Sequence, residues 1–183
     1  CDVAQRQQAL GKRVEVWSGT KHWRERLTIT QDEHAGLPVH RVHRDDLYFD
    51  HHVKAWHPGV EAAFARGITR PLVDSCVGSG KSLTMAEIAR RRWQHGERTV
   101  ICAHTRELVE QNAAACRALG LQVGINAAAL GERTWRAPVI SAAIQSVYSS
   151  GRSFGPVANM LVDECHLIPH SEAGMYRQLH RDL

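Results

Sequence analysis

Ser75-Cys76-Val77-Gly78-Ser79-Gly80-Lys81-Ser82 sits between a short apolar strand, Pro71 to Asp74, and a helix predicted over Lys81 to His95. In that helix Leu83, Ala86, Ala89 and Trp93 recur on one face, flanked by Met85 and Ile88, and Gly96 closes it. Strand, glycine turn and helix in this order form the context of a phosphate-binding loop. Gly78 and Gly80 let the backbone curl around Ser79 so that successive N–H groups point inward. The helix N-terminus adds the positive end of its dipole. Lys81 is the candidate cation for the β- and γ-phosphates of a nucleotide, and the Ser82 hydroxyl is a candidate Mg²⁺ ligand.

Downstream, the same alternation continues. Thr99 to Ala103 reads as a buried strand. Arg106 to Leu119 reads as a helix burying Leu108, Ala115 and Leu119 beside Val109, Ala113 and Cys116, with Gly120 as its cap. Val123 to Ile125, Pro138 to Ala142 and Asn159 to Asp163 are further strands. Apolar strands alternating with helices imply an α/β fold with a parallel sheet covered by helices on both faces. The last of these strands, Met160-Leu161-Val162, ends in Asp163-Glu164-Cys165-His166. That is a Walker B arrangement: Asp163 for the Mg²⁺ water shell and Glu164 to orient and polarise an attacking water. The spacing from Lys81, several β-α units, places both motifs on one sheet.

These motifs together resemble the superfamily 2 helicases and the helicase subunits of restriction enzymes. Asp163-Glu164-Cys165-His166 is similar to a DExH box with Cys in the variable place. Ser75 stands where the usual phosphate loop has Gly, a position this superfamily commonly relaxes. His104-Thr105-Arg106-Glu107-Leu108 resembles motif Ia, with His104 in place of Pro, which implies that Thr105 and Arg106 lie against the nucleic-acid backbone. Ser141-Ala142-Ala143-Ile144-Gln145-Ser146 resembles the next strand-end motif and adds Gln145 and Ser146 to the nucleic-acid candidates. By the same analogy His166 links the nucleotide site to a second domain.

The resemblance covers about 66–183 and implies the first RecA-like ATP-binding domain of a P-loop NTPase, using ATP and Mg²⁺. It also implies a nucleic-acid partner, DNA before RNA, and a second RecA-like domain that this chain does not contain. By that reading the domain is truncated at its C-terminal end, and the isolated chain is only weakly active as an ATP hydrolase. The alternative function is a nucleotide-binding module without efficient turnover.

Residues 1–65 read as a small α/β segment, either a divergent N-terminal extension of the helicase or a fused glycosyltransferase-like piece joined near Ala65-Arg66. A helix over Asp2 to Leu10, a strand at Val14 to Trp17, an undecided polar stretch from Arg24 to Asp32, and a strand at Leu37 to Val42 come first. Asp45 to Pro58 is loop-like, and Val60 to Ala65 is a short helix ended by Gly67. The rhythm of Leu10 to Trp17, Gly36 to Val42, Asp46 to Asp50 and His57 to Glu61 resembles the opening of GT-B glycosyltransferases, without a catalytic signature. The last function reading, a glycosyltransferase N-terminal fragment, rests on that pattern alone. The Gln that recognises adenine in these helicases has no counterpart in Ala55 to Phe64, where Trp56 is a candidate to stack on a base.

Composition narrows the classes. A net charge of +4 over 183 residues suits contact with nucleic acid without requiring it. Five scattered cysteines with no Cys-x-x-Cys pair argue for reduced thiols and a cytoplasmic protein rather than a disulfide frame. His40, His43, His51 and His52 lack zinc-type spacing to Cys or carboxylates. No run approaches the roughly 18 apolar residues of a membrane span.

Overall fold

The computed structural model describes residues 16–23, 28–34, 37–44, 59–74, 80–168 and 174–183, the first three segments by backbone alone. The helix expected over Asp2 to Leu10, the loop from Asp45 to Pro58 and the glycine turn from Ser75 to Ser79 lie outside the described residues. The chain divides into two compact units, residues 1–84 and 85–183.

The first unit carries a four-stranded sheet of β1 (Val16–Trp23), β2 (Thr28–His34), β3 (Leu37–Arg44) and β4 (Leu72–Asp74), in the order β2-β3-β1-β4. β2 and β3 form an antiparallel pair from Thr28↔His43 to His34↔Leu37. β1 runs parallel to both β3 and β4. The polar stretch left undecided in the sequence supplies β2, an edge strand, where one unpaired side tolerates Gln31, Asp32 and Glu33 and hides the apolar signal. β4 departs from expectation. It pairs with β1, Val16↔Leu72 to Ser18↔Asp74, and so belongs to this sheet and not to the one that ends in the acidic pair. A three-residue strand with two apolar side chains, Leu72 and Val73, carries no information about which neighbour it takes. Helix α1 (residues 59–65) buries Val60 and Ala63. It ends on Gly67 at φ 78°, with Gly67 N–H donating to Phe64 C=O at 2.8 Å and Ile68 N–H to Ala63 C=O at 2.9 Å. This paired closure satisfies carbonyls the helix leaves open.

The second unit holds a five-stranded sheet: β5 (Thr99–Ala103), β6 (Val123–Ala127), β7 (Glu132–Arg133), β8 (Val139–Ala143) and β9 (Asn159–Val162), ordered β7-β6-β8-β5-β9. Every pairing is parallel except the short β6–β7 return. The α-helices after β4 are α2 (Lys81–Gln94), α3 (Arg106–Ala118), α4 (Ile144–Val147) and α5 (Met175–Asp182), with short 3-10 turns at Ala128–Leu130, Gly151–Phe154 and Cys165–Leu167. β5 and β8 are buried along their whole length, as the interior strands of a sheet covered on both faces must be. Alternation sorts their side chains. Val100, Cys102, Ile140 and Ala142 pack with Phe154, Tyr176 and Leu179. Ile101 and Val139 face the other way, against Ala86 and Ala89 of α2 and Cys116 of α3. Ala103 and Ile125 meet Val109 and Ala113 of α3. This is the expected RecA-like arrangement of a mostly parallel sheet flanked by helices.

Two helix faces differ from the periodicity reading. α3 buries Val109, Asn112, Ala113 and Cys116, and the expected Leu108 and Leu119 lie at the margins of that stripe. In α2 the small residues Ala86 and Ala89 are fully buried, while Trp93 in the last turn is 41 % exposed. Among the described residues no helix is long and apolar enough to cross a membrane.

Candidate active site and nucleic-acid face

Gly78 and Ser79 lie outside the described residues, and the description resumes at Gly80. Gly80 has φ 82°, a left-handed conformation that a side chain at this junction would strain. Its carbonyl accepts from Thr84 N–H at 3.0 Å and from the Thr84 hydroxyl at 3.3 Å, which closes the first turn of α2. Lys81 and Ser82 are therefore the first two residues of a regular helix, the end that favours anions.

In the second unit, β8, β5 and β9 are adjacent and parallel, so their carboxyl ends share one sheet edge. Residues follow each of them there. After β9 comes Asp163, 4 % exposed, whose N–H continues the ladder by donating to Cys102 C=O at 2.9 Å. One carboxylate oxygen of Asp163 accepts from Asn112 Nδ2 at 3.1 Å. Glu164 has φ 52°, a left-handed non-glycine residue where the chain leaves the strand for the 3-10 turn Cys165–Leu167. Its carboxylate lies 3.2 Å from Nδ1 of the exposed His166. A non-glycine residue held left-handed costs roughly 1–2 kcal/mol, a cost typically found where function fixes the conformation.

After β5, Thr105 caps α3, its hydroxyl accepting from Leu108 N–H at 3.3 Å. Arg106 is exposed in the first turn and reaches Glu110 at 3.3 Å. After β8, exposed Gln145 donates from Nε2 to His104 C=O at 3.0 Å, tying the β8 and β5 ends together. The Ser146 hydroxyl accepts from Ala128 N–H at 2.9 Å. Both side chains thus brace the edge, and Thr105, Arg106, Gln145, Asp163 and Glu164 follow three neighbouring strand ends.

Two residues absent from the sequence reading belong to this edge. Asn112 supports Asp163 from α3. Tyr176 of α5 stacks edge-on against His104, with ring centroids 5.2 Å apart at 70°. Burial pushes the Tyr176 phenol well above its ordinary range, with the Cys102, Asp163 and Cys165 charges adding to the effect. Its hydroxyl and His104 Nε2 have no hydrogen-bond partner among the described residues. Asn112 had a signal: it stands at i+3 from Val109 inside the stripe completed by Ala113 and Cys116, a polar amide where periodicity asks for an apolar residue. Cys102 and Cys116 are core thiols, pushed up to about 12 chiefly by burial.

The donors suit a hard divalent cation. The Asp163 carboxylate offers oxygen only and is oriented by an amide donor, the kind of outer support that ligating carboxylates require.

Residues 50–182 match the family described as the type III restriction enzyme res subunit, a span that takes in residues 50–64 of the N-terminal segment. A search of curated proteins finds no match to the chain. With the phosphate-loop helix, the parallel sheet and the strand-end acids in hand, the chain belongs to the type III restriction enzyme res subunit family and is an ATP-binding motor domain of the helicase type.

Proposed function

We propose that this chain is the first motor domain of an ATP-dependent DNA helicase or translocase of the DExH-box superfamily 2 kind. It works in the cytoplasm with a second RecA-like domain. Lys81 neutralises the β- and γ-phosphates of ATP, Ser82 and Asp163 hold Mg²⁺, and Glu164 orients the attacking water. Thr105, Arg106, Gln145 and Ser146 form the face offered to the nucleic-acid backbone, and His166 couples the nucleotide state to the second domain. Mg²⁺, when bound, neutralises charge developing on the transferred phosphoryl group. DNA is preferred to RNA by analogy with restriction-type helicases, whose DECH form and Gln-Ser pair this chain resembles.

The observation that carries the reading is the shared carboxyl edge of β8, β5 and β9, where buried Asp163 and left-handed Glu164 stand one strand away from capped Thr105 and exposed Arg106. Ligands of open α/β sheets bind outside the carboxyl ends of their strands. Titration calorimetry of Mg-ATP into the chain and into Lys81→Ala tests it. Loss of binding in a folded Lys81→Ala supports the assignment, and equal affinity overturns it. Steady-state ATPase with single-stranded DNA or RNA added separates a motor from a nucleotide-binding module without efficient turnover.

A further inference from the structure

Asn112 is fully buried in the second turn of α3, among Val109, Ala113 and Cys116. A buried amide costs several kcal/mol unless it is hydrogen-bonded, and leucine would fill the same space without that cost. Its Nδ2 donates to Asp163 Oδ2 at 3.1 Å, while its Oδ1 has no partner among the described residues. Only the donating half of the amide is used, and its acceptor is the carboxylate. The opposite amide orientation would set oxygen against oxygen, so the assignment follows from charge. Asp163 is thereby fixed twice: its N–H to Cys102 of β5, and its carboxylate to α3.

We infer that Asn112 is a positioning residue that orients the Asp163 carboxylate for Mg²⁺. The inference rests on the reading of Asp163 as the Mg²⁺ carboxylate. Asn112 touches neither nucleotide nor metal and acts through Asp163 alone. Without it the carboxylate loses its amide donor in a nearly dry site and is free to turn from the orientation that the cation needs.

The test measures ATP binding by calorimetry across a Mg²⁺ series, and again in EDTA, on the parent chain and on Asn112→Ala, Asn112→Leu and Asp163→Asn. Both Asn112 variants should weaken apparent Mg²⁺ affinity by about 10-fold to 100-fold, the typical effect of losing an outer-shell support. Mg²⁺-free ATP binding should be unchanged, which a general loss of packing would not spare. Asn112→Ala added to Asp163→Asn should produce no further loss. Asn112→Leu keeps the core filled and carries the test where Asn112→Ala packs poorly. A folded Asn112→Leu with parental Mg²⁺ dependence, alongside a weakened Asp163→Asn, overturns the positioning role alone. Parental Mg²⁺ dependence in Asp163→Asn overturns the Asp163 assignment and this inference with it.

Discussion

Glu164 and His166 face each other at 3.2 Å, Oε2 to Nδ1, across a backbone that holds Glu164 at φ 52°. The carboxylate proposed to polarise water is therefore aimed by two constraints at once, a left-handed backbone and an imidazole two residues on. The contact joins the residue proposed for hydrolysis to the one proposed for coupling.

Glu164→Gln should leave Mg-ATP affinity intact and lower hydrolysis by about 10²-fold to 10⁴-fold, the usual contribution of a positioned base. The side chain acts on water and not on the phosphates, and losing a negative charge near the γ-phosphate does not oppose binding. Calorimetry and single-turnover hydrolysis check the two halves separately. A parallel loss of affinity would move Glu164 from the chemistry to nucleotide binding.

Arg106→Ala should weaken single-stranded DNA binding nearly uniformly across sequences. It should also reduce the slope of log affinity against log salt by about 0.7, the value for one phosphate contact on a single strand. Arg106 is exposed at the start of α3, and its pairing with Glu110 at 3.3 Å is a weak surface contact that a phosphate can displace. Fluorescence anisotropy over a salt series measures it, and an unchanged slope would remove Arg106 from the nucleic-acid face.

What the sequence disclosed and what it hid divide along physical lines. β5 was legible to the residue because Thr99 to Ala103 are five consecutive side chains buried on both faces. β2 was not, because an edge strand has no such demand on its composition. Asp163 and Glu164 stood out as acids ending an apolar strand. Asn112 showed only as a polar break in an apolar stripe, because the partner that gives it meaning is 51 positions away. Gln145 was visible as a candidate, whereas its bond to the His104 carbonyl depends on β8 and β5 being neighbours, which only the sheet order supplies.

Glu87 supplies a pH-dependent term in stability. Its carboxylate is buried on α2 and is held down to about 2 from 4.5, first by its hydrogen bonds to Arg90, at 2.7 Å each, then against burial by Arg91. A carboxyl depressed in the folded state contributes fully above its unfolded value and loses that contribution as pH falls. The window here runs from about 4.5 down to about 2. Glu87→Gln should cost about 1–3 kcal/mol at pH 7, discounted because both arginines are partly exposed, and should flatten the pH dependence in that window. Urea melts from pH 7 to pH 3 check it. An unchanged slope with pH would mean that the ion cluster contributes nothing.

Arg98 fixes the opposite end of the second sheet. Its guanidinium donates to four carbonyls: Trp135 at 3.0 Å, Ala137 at 3.0 Å, Phe154 at 2.7 Å and Pro156 at 3.0 Å. These lie in the segments that lead into β8 and β9, and the Arg98 carbonyl itself accepts from Ala158 and Asn159 N–H. Burial, then the nearby Arg136 charge, lowers its pKa, but a guanidinium keeps its proton. A lysine has three donors on one point and cannot reproduce a planar fork. Arg98→Lys should therefore leave partly buried carbonyls unmet and lower stability by about 2 kcal/mol, with Arg98→Ala losing more. Mg-ATP affinity should hold, because the strands separate Arg98 from the Asp163 edge by roughly 15 Å of extended chain. Denaturant melts and calorimetry read the two effects. A stable Arg98→Lys would show that water replaces the guanidinium at no cost, and a folded variant with weakened Mg-ATP binding would show that the two edges of the sheet are coupled.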